Sequence, residues 1–243
     1  TLIEDFMADK QAGKSLQCPQ KWLEALSLIL DSDTLNGGTK AELLSLPPLT
    51  YCLEALPNQS FDDLVEVHHT LKLQVAKHLN TKAAATYQDL CRAEPDTYHF
   101  DQAQSNHRAL KRWCLNIMCH TQMNQSAQAC ELLYKHSHNL TDRLAAIHSA
   151  QILGQSIAQP LLDDLYDRAK GDPLLLDQWF SIQSADESPG ALERIKQLLE
   201  HKDFNRNNPN RVRAVLGVLS QRNLIHFHHQ SGEGYRLLAR EIL

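Results

Sequence analysis

No apolar run in the sequence approaches the roughly 18 to 20 residues that a helical membrane span requires; stretches such as LEALSLIL, starting at Leu23, end well short of it. A membrane role is therefore not expected. The opening residues hold Glu4, Asp5 and Asp9 and lack an apolar core, so a secretory signal is not expected either. Charge of one sign is also scarce: the formal net charge is −5, and neither an acidic nor a basic tail is present. That argues against a broad nucleic-acid footprint, which needs clustered Lys and Arg. The six cysteines, at 18, 52, 91, 114, 119 and 130, form no CxxC pair. Scattered thiols suit a reducing compartment, hence the cytoplasm, with Cys114 and Cys119 read as small core residues rather than ligands.

Sustained alternation of apolar and polar residues, the mark of a strand, is missing as well. What remains is helical periodicity, in a chain of 243 residues with 42% hydrophobic content, long enough to bury a sizeable core. Leu2, Ile3 and Phe6 read as one side of a helix begun outside this chain. Trp22, Leu23, Leu26, Ile29 and Leu30 follow at helical spacing, and Asn36-Gly37-Gly38 is expected to stop that run. Thr39 with Glu42 reads as a capping box ahead of Pro47-Pro48, and 49–56 as another short helix. Ser60 with Asp63 opens a helix through Phe61, Leu64, Val67, Leu71 and Val75 to about residue 79, with a second helix over 82–93 cut by Glu94-Pro95-Asp96.

Beyond that point Leu110, Trp113, Cys114, Ile117 and Met118 make the inner side of a helix over 106–119, with 126–136 as its antiparallel partner. Thr141 and Ser156 are read as N-caps of the next two helices, and Pro160 as lying in the first turn of the second. Asp172-Pro173, Ser188-Pro189 and Asn208-Pro209 read as one repeated device, a cap followed by a proline at the first helical position. After a turn at 231–234 a last helix runs to a chain end without a stop signal, as if truncated. The expectation is an all-α chain of roughly 13 or 14 helices, paired and short. Such pairs suit either an irregular α-solenoid or an ordinary helical bundle, and the period is too poor to choose between them.

The stretch HKDFNRNNPNRVRAVLG, from His201, carries most of the functional reading. Asn208 and Pro209 start a helix whose apolar stripe is Val212, Val215, Leu216 and Leu219, with Arg211 and Arg213 on opposite flanks. From spacing alone, both arginines are solvated or cap a neighbouring helix.

NPNRVRAVLG, with LERIKQLLEHKDF before it and FHHQSGEGYRLLA after it, resembles the C-terminal helical domain of bacterial aminopeptidase N, the zinc-dependent alanyl aminopeptidases of the gluzincin class. DPLLLDQWFSIQS from Asp172, NLTDRLAAIHSA from Asn139 and RALKRWCLNIM from Arg108 look like earlier blocks of that domain, in its order. The likeness is specific over residues 84–243 and weaker over 1–81. It implies one helical domain across 1–243, an irregular α-α superhelix of armadillo or HEAT type with stacked helix pairs, forming a fragment of a larger enzyme whose own domain continues for several helices further.

The same likeness implies that the catalytic machinery lies elsewhere. A zinc aminopeptidase needs an HExxH helix, two histidines one turn apart on the metal and a Glu polarising water, with a downstream Glu as third protein ligand. This sequence has neither HExxH nor the GxMEN-type stretch that holds a substrate's amino group. No catalytic residue, metal ligand or cofactor is therefore expected in this chain, and the zinc belongs to the parent enzyme's catalytic domain. The expected partners are that domain, within the same polypeptide, and short peptide substrates. By the resemblance Arg213, the second Arg of NPNRxR, lies on the wall of the substrate chamber as a fixed cation for peptide carbonyls or a C-terminal carboxylate, with Asn210 and Arg211 beside it in the channel.

Other constellations carry less. His226-Phe227-His228-His229 could place two rings on one side if extended, but no further ligand completes a tetrahedral set. His68 and His69 point about 100° apart on a helix and read as a helix-surface feature. Ser231-Gly232-Glu233-Gly234 lacks both the full dinucleotide fingerprint and a P-loop lysine, so a turn is the better account. Asp62-Asp63 and Asp163-Asp164 are divergent neighbours, read as solvated. Two readings go forward: the non-catalytic C-terminal domain of an aminopeptidase, which caps the active site and limits what enters, and a free-standing helical-repeat scaffold for a protein partner.

Overall fold

A computed structural model describes residues 2–93, 97–121 and 123–242, the side chains at 123 and 124 excepted. Every regular element among them is helical. The expected break at 94–96 lies outside the described residues. The chain divides into two compact units, Thr1–Leu153 and Gly154–Leu243.

The first unit is organised by α5 (Phe61–Arg92), a 32-residue helix roughly 48 Å long at the usual rise per residue. Here the sequence reading, which split this segment near residue 80, is corrected. Asn80-Thr81 holds neither Pro nor Gly, and the buried stripe Leu64, Val67, Leu71, Val75, Leu79, Ala83 and Tyr87 passes through the junction without a phase change. Continuous burial on one face outweighs the weak helix propensity of Asn and Thr. Ser60 Oγ accepts from the Asp63 amide, as the sequence suggested. Three short helices contact α5: α1 (Leu2–Gln11), α2 (Gln20–Asp31) and α4 (Leu49–Ala55). Phe6, Met7 and Cys52 join Leu64, Val67 and Leu71 in one buried cluster.

Helix α3 (Gly37–Leu44) packs instead on α6 (Gln102–Cys119). The capping box read at Thr39 is not formed; Asn36 is the N-cap and its side chain accepts from the Thr39 amide. The two glycines read as a stop are thus the first turn of a helix. A Cβ at Gly37 would fall 2.6 Å from the Asn106 carbonyl oxygen, so it is close backbone approach to α6 that requires glycine there. Helix α6 also packs on α5, and α7 (Met123–His136) pairs with α8 (Leu140–Leu153), which rests on α6 in turn. The cap of α8 is Asn139, whose Oδ1 accepts from the Asp142 amide at 2.8 Å, rather than Thr141.

The second unit is built from shorter pieces: α9 (Gln155–Arg168), α10 (Pro173–Ser184), α11 (Ala191–Leu199), α12 (Pro209–Val212), a π-helical turn (Arg213–Gly217), α13 (Val218–Gln221), α14 (Leu224–Phe227) and α15 (Glu233–Ile242). Leu162, Leu165, Phe180, Ile195, Leu199, Val215 and Leu219 are its buried apolar side chains of largest consequence. The cap-plus-proline device holds at two of its three expected places. Asp172 accepts from the Leu174 and Leu175 amides, and Asn208 from those of Asn210 and Arg211. At the third, α11 starts at Ala191 behind Gly190 in the left-handed region, φ 81°, so Pro189 precedes the cap and Ser188 binds Asp186 instead. Helix α9 likewise begins at Gln155 after Gly154, without a side-chain cap from Ser156, which puts Pro160 two residues further in than expected, in the second turn. Gly234 permits a tight return: a Cβ there would lie 2.7 Å from Phe227 Cα.

Candidate functional site

The region singled out from the sequence lies wholly in the second unit. Helix α12, the π turn and α13 run on as one helix, with helical backbone angles at each junction. Asn208 fixes its start and Pro209 occupies the first turn, so the backbone carrying both arginines is anchored at its N-terminus. Val215, Leu216 and Leu219 are buried as expected, whereas Val212 is only partly covered.

The arginines part company. Arg211 is turned inward and 4% exposed. Its Nε donates to Asp177 Oδ1 at 2.6 Å and its Nη1 to the Asp203 carbonyl at 2.7 Å, while the guanidinium lies 4.7 Å from the Phe180 ring centroid. A planar fork with an apolar-tolerant face suits all three partners at once. Around it sit Tyr166, Trp179, Phe180 and His201, in ring contacts of 4.9 to 5.7 Å. Trp179 Nε1 donates to the Leu162 carbonyl at 2.9 Å, and the Tyr166 hydroxyl donates to the Asp203 carboxylate. Burial holds the His201 imidazole below its ordinary range, partly opposed by Asp203.

Arg213 faces solvent, as does Asn210, and they meet only at the limit of hydrogen bonding, Nη1 to Oδ1 at 3.5 Å. Arg213 is also the first residue of the π turn: its carbonyl accepts from the Val218 amide, five residues on rather than four. Such widened turns change the phase between the two halves of a helix and recur at functional sites. Here the wider turn itself carries Arg213 outward and Val215 and Leu216 inward, between the capped start at Asn208 and the buried Leu219.

His226, His228 and His229 are each held by a hydrogen bond within the chain. The segment holding His226, His228 and His229 is not extended: His226 is inside α14 and His228 is its C-cap. His226 Nε2 donates to the Glu187 carbonyl at 3.1 Å, His228 Nδ1 meets the Tyr235 hydroxyl, and His229 Nδ1 lies 2.9 Å from Ser231 Oγ. His68 corrects the surface reading, being buried with Nε2 donating to the Pro47 carbonyl at 2.9 Å, while His69 is exposed. Burial, with Lys72 nearby, keeps the His68 imidazole below its ordinary range. Among the described residues no three His, Cys, Asp or Glu side chains are placed to hold a metal ion, so these residues do not fit a zinc site and no chemistry is routed through one. Nor is any helix among them long and apolar enough to cross a membrane.

A family model described as "Domain of unknown function (DUF3458_C) ARM repeats" matches residues 1–243. The chain belongs to the DUF3458_C family. Aminopeptidase N of Caulobacter vibrioides is 30% identical over 254 residues, covering 100% of this DUF3458_C chain and 28% of the relative. Aminopeptidase N of Haemophilus influenzae is 28% identical, covering 94% of this chain and 26% of the relative. The solved structure of Legionella pneumophila aminopeptidase A in complex with aspartic acid superposes with a TM-score of 0.87 at 29% identity, over 99% of this chain and 29% of that one. The chain is thus homologous to the C-terminal region of aminopeptidase N and spans less than a third of the length of these relatives. The resemblance read from NPNRVRAVLG and its neighbouring blocks is the same family relationship.

One site in the DUF3458_C chain was missed by the sequence reading. In the first unit Lys111 Nζ lies 2.7 Å from Asp142 Oδ2, with both side chains almost wholly buried. Asn139 Nδ2 donates to the same oxygen at 3.1 Å. A signal existed: Cys114, Leu115 and Met118 stand three, four and seven residues after Lys111, which puts the lysine on the apolar face.

Proposed function

We propose that this DUF3458_C chain is the non-catalytic helical portion of a zinc-dependent aminopeptidase that releases N-terminal residues, alanine among them, from peptides. In this reading the metal and the hydrolytic step belong to a catalytic domain of the same polypeptide. The helical portion caps that active site, admits only peptides that fit the enclosed chamber, and supplies part of its wall. Arg213, with Asn210 beside it, is the polar contact offered to a short peptide's carbonyls or its C-terminal carboxylate. Arg211 acts through the helix, holding the NPNRVR segment in place. The scattered cysteines, without a CxxC pair, suit a cytoplasmic enzyme.

The observation that carries this is the contrast two residues apart on one anchored helix. Arg211 is fully engaged internally, whereas Arg213 leaves the start of the π turn with its guanidinium exposed and only one marginal bond, to Asn210. A guanidinium so placed is a strong, permanently charged donor set for a carboxylate or carbonyl ligand. The experiment is Arg213→Ala in the full-length enzyme, assayed on tripeptides and on single-residue chromogenic amides. For tripeptides kcat/KM should fall about tenfold more than for amides, the worth of one charge-assisted contact. Equal losses on both substrates would remove the wall role.

The second reading, a free-standing scaffold, draws on exposed apolar residues of the first unit. Leu43 and Tyr51, 51% and 61% exposed, border an apolar groove of about 300 Å³ that a protein partner could cover. The reading frame ahead of Thr1 separates the two: an HExxH with a later Glu supports the aminopeptidase, a start codon immediately before Thr1 the scaffold.

A further inference from the structure

We propose that the first unit holds a second ligand site, a cleft for a small carboxylate carrying a compact apolar body, set where the segment 45–48 between α3 and α4 meets α5 and α6. It rests on the first unit alone and is independent of the aminopeptidase reading. A cavity of about 270 Å³ lies there. On α5 Lys72 and Val75 follow His68 at four and seven residues, and on α6 Asn116 and Ile117 follow Trp113 at three and four, so each helix turns one face to the cavity. Val75 and Ile117, with Leu46 of the joining segment, give it an apolar wall. His68 Nε2 donates to the Pro47 carbonyl at 2.9 Å, which ties that segment to α5.

Three donors line this cavity, and the fold uses none of them. Lys72 Nζ, the Asn116 amide and the Trp113 indole N–H meet no acceptor among the described residues. Nor is any of these polar ends sealed: each remains open to a molecule the size of water. Trp113 is only 9% exposed, and the N–H of so covered an indole is normally bonded. Left open on a residue that lines the cavity, it is a donor placed for a ligand. Charge then decides the sign. Lys72 is the permanent cation on the cavity, and no carboxylate lines it among the described residues. The neighbouring imidazoles feel the same field: burial, then Lys72, hold His68 below its ordinary range, and burial, then Lys72 and His69, do so for His120, with no carboxylate opposing them. A carboxylate has acceptor sites only, about four on its two oxygens, enough for all three donors, and a single charge to set against Lys72. A carboxamide has one acceptor oxygen and turns its own N–H groups toward the remaining donor. An ammonium meets Lys72 as a like charge, and a phosphate brings no surface for the apolar wall.

The test titrates the 243-residue chain with benzoate, benzamide, benzylammonium and inorganic phosphate, followed by calorimetry and backbone amide spectra. Benzoate should bind saturably with a dissociation constant near or below about 1 mM, reasonable for a ligand of this size, and perturb amides around Lys72 and Asn116. The other three should bind about tenfold more weakly or worse, the worth of one charge-assisted contact. Lys72→Met removes a half-buried cation that has no ion pair, so the urea midpoint should stay at the parent value while benzoate weakens about tenfold and loses its lead over benzamide. Trp113→Phe, which keeps a ring and deletes the N–H, should weaken benzoate about threefold. N-acetylphenylalanine, carrying the same carboxylate as the C-terminal residue of a peptide, tells the two sources apart, and whichever of it and benzoate binds more tightly names the natural one. Equal affinity for benzoate and benzamide, phosphate binding as tightly as benzoate, no saturation by about 10 mM benzoate, or an undiminished benzoate preference in Lys72→Met would each overturn the proposal.

Discussion

Lys111 in the first unit and Arg211 in the second are both buried cations set against an aspartate, at 2.7 Å from Asp142 and 2.6 Å from Asp177. Their surroundings differ in kind. Lys111 is a point charge whose carboxylate partner is itself almost sealed from water. Arg211 spreads its charge over a carboxylate, a backbone carbonyl and a ring face, and Asp177 keeps 15% of its side-chain exposure. The first arrangement seals both members of the pair from solvent, whereas the second has a partial outlet at Asp177. Removing one cation should therefore damage the first unit more than the second.

Lys111→Ala is the harshest way to press that difference. It leaves Asp142 buried and ionised without its counter-charge, and about 3–5 kcal/mol of stability should go, read as a drop in the urea midpoint. Replacing both members, Lys111→Met with Asp142→Leu, should recover most of that loss, since the desolvation of two charges is then avoided. A double variant as unstable as the single one would mean that the pair itself, rather than the orphaned carboxylate, sets the cost. Arg211→Ala should cost less, about 2–3 kcal/mol, because Asp177 can be rehydrated at its exposed edge. Arg211→Lys should restore little of it, since an ammonium cannot reach Asp177 and the Asp203 carbonyl with the same planar fork. Full rescue by lysine would make charge alone sufficient and remove the distinction between the two sites.

Acid should separate the units next. Burial, then Lys72 and His69, push the His120 imidazole of the first unit down to about 4. In the unfolded chain the ring protonates near its ordinary value of about 6.5. Between those values the unfolded state carries the extra proton, so this group's contribution is whole above about pH 6.5 and is lost as pH falls toward 4. After allowance for the solvent it still touches, the loss should be about 1–2 kcal/mol. His120→Gln should flatten the urea midpoint against pH over that window. His201 and His228 of the second unit are displaced in the same direction, but each is covered far less, so His201→Gln should change the profile less than His120→Gln. An unchanged profile in His120→Gln would put the acid sensitivity elsewhere.

How much of this the sequence carried depends on how local the signal was. The helical class, the starts at Ser60, Asp172 and Asn208, and the buried stripe of α5 follow from neighbours within one or two turns, and they are as read. What escaped needs partners far along the chain. The continuity of α5 past Asn80 rests on packing by other helices, and Gly37 serves an approach to Asn106 rather than a stop. Spacing puts Lys111 on an apolar face, but the carboxylate that answers its charge is not legible until Asp142, 31 residues later, is placed against it. The caps at Asn36 and Asn139 were misassigned to Thr39 and Thr141 because Asn, Ser and Thr compete for the same job within two or three residues, and only backbone geometry decides among them. The π turn at Arg213 has no residue signature in RAVLG at all. At the candidate site, the identities of Asn210, Arg211 and Arg213 came from the NPNRVR block, but which arginine turned inward did not, since flank positions on a helix are equivalent until a neighbour such as Asp177 takes one of them.

The smallest expected effect is also the one that bears most directly on Arg213. An exposed side chain with a single marginal bond to Asn210 contributes little to the fold, so Arg213→Ala should leave stability within about 0.5 kcal/mol of the parent. The adjacent π turn gives the measurement its edge. If the widened turn were held by the Arg213 side chain, its removal would let the Val218 amide return to the ordinary helical partner, and amide exchange across 213–218 would change. If the turn is instead set by Val215, Leu216 and Leu219 seated in the core, exchange there should be unaltered while that of the Arg211→Ala variant rises along the whole helix. A destabilisation of Arg213→Ala as large as that of Arg211→Ala would make both arginines structural and leave the NPNRVR helix without an outward-facing function.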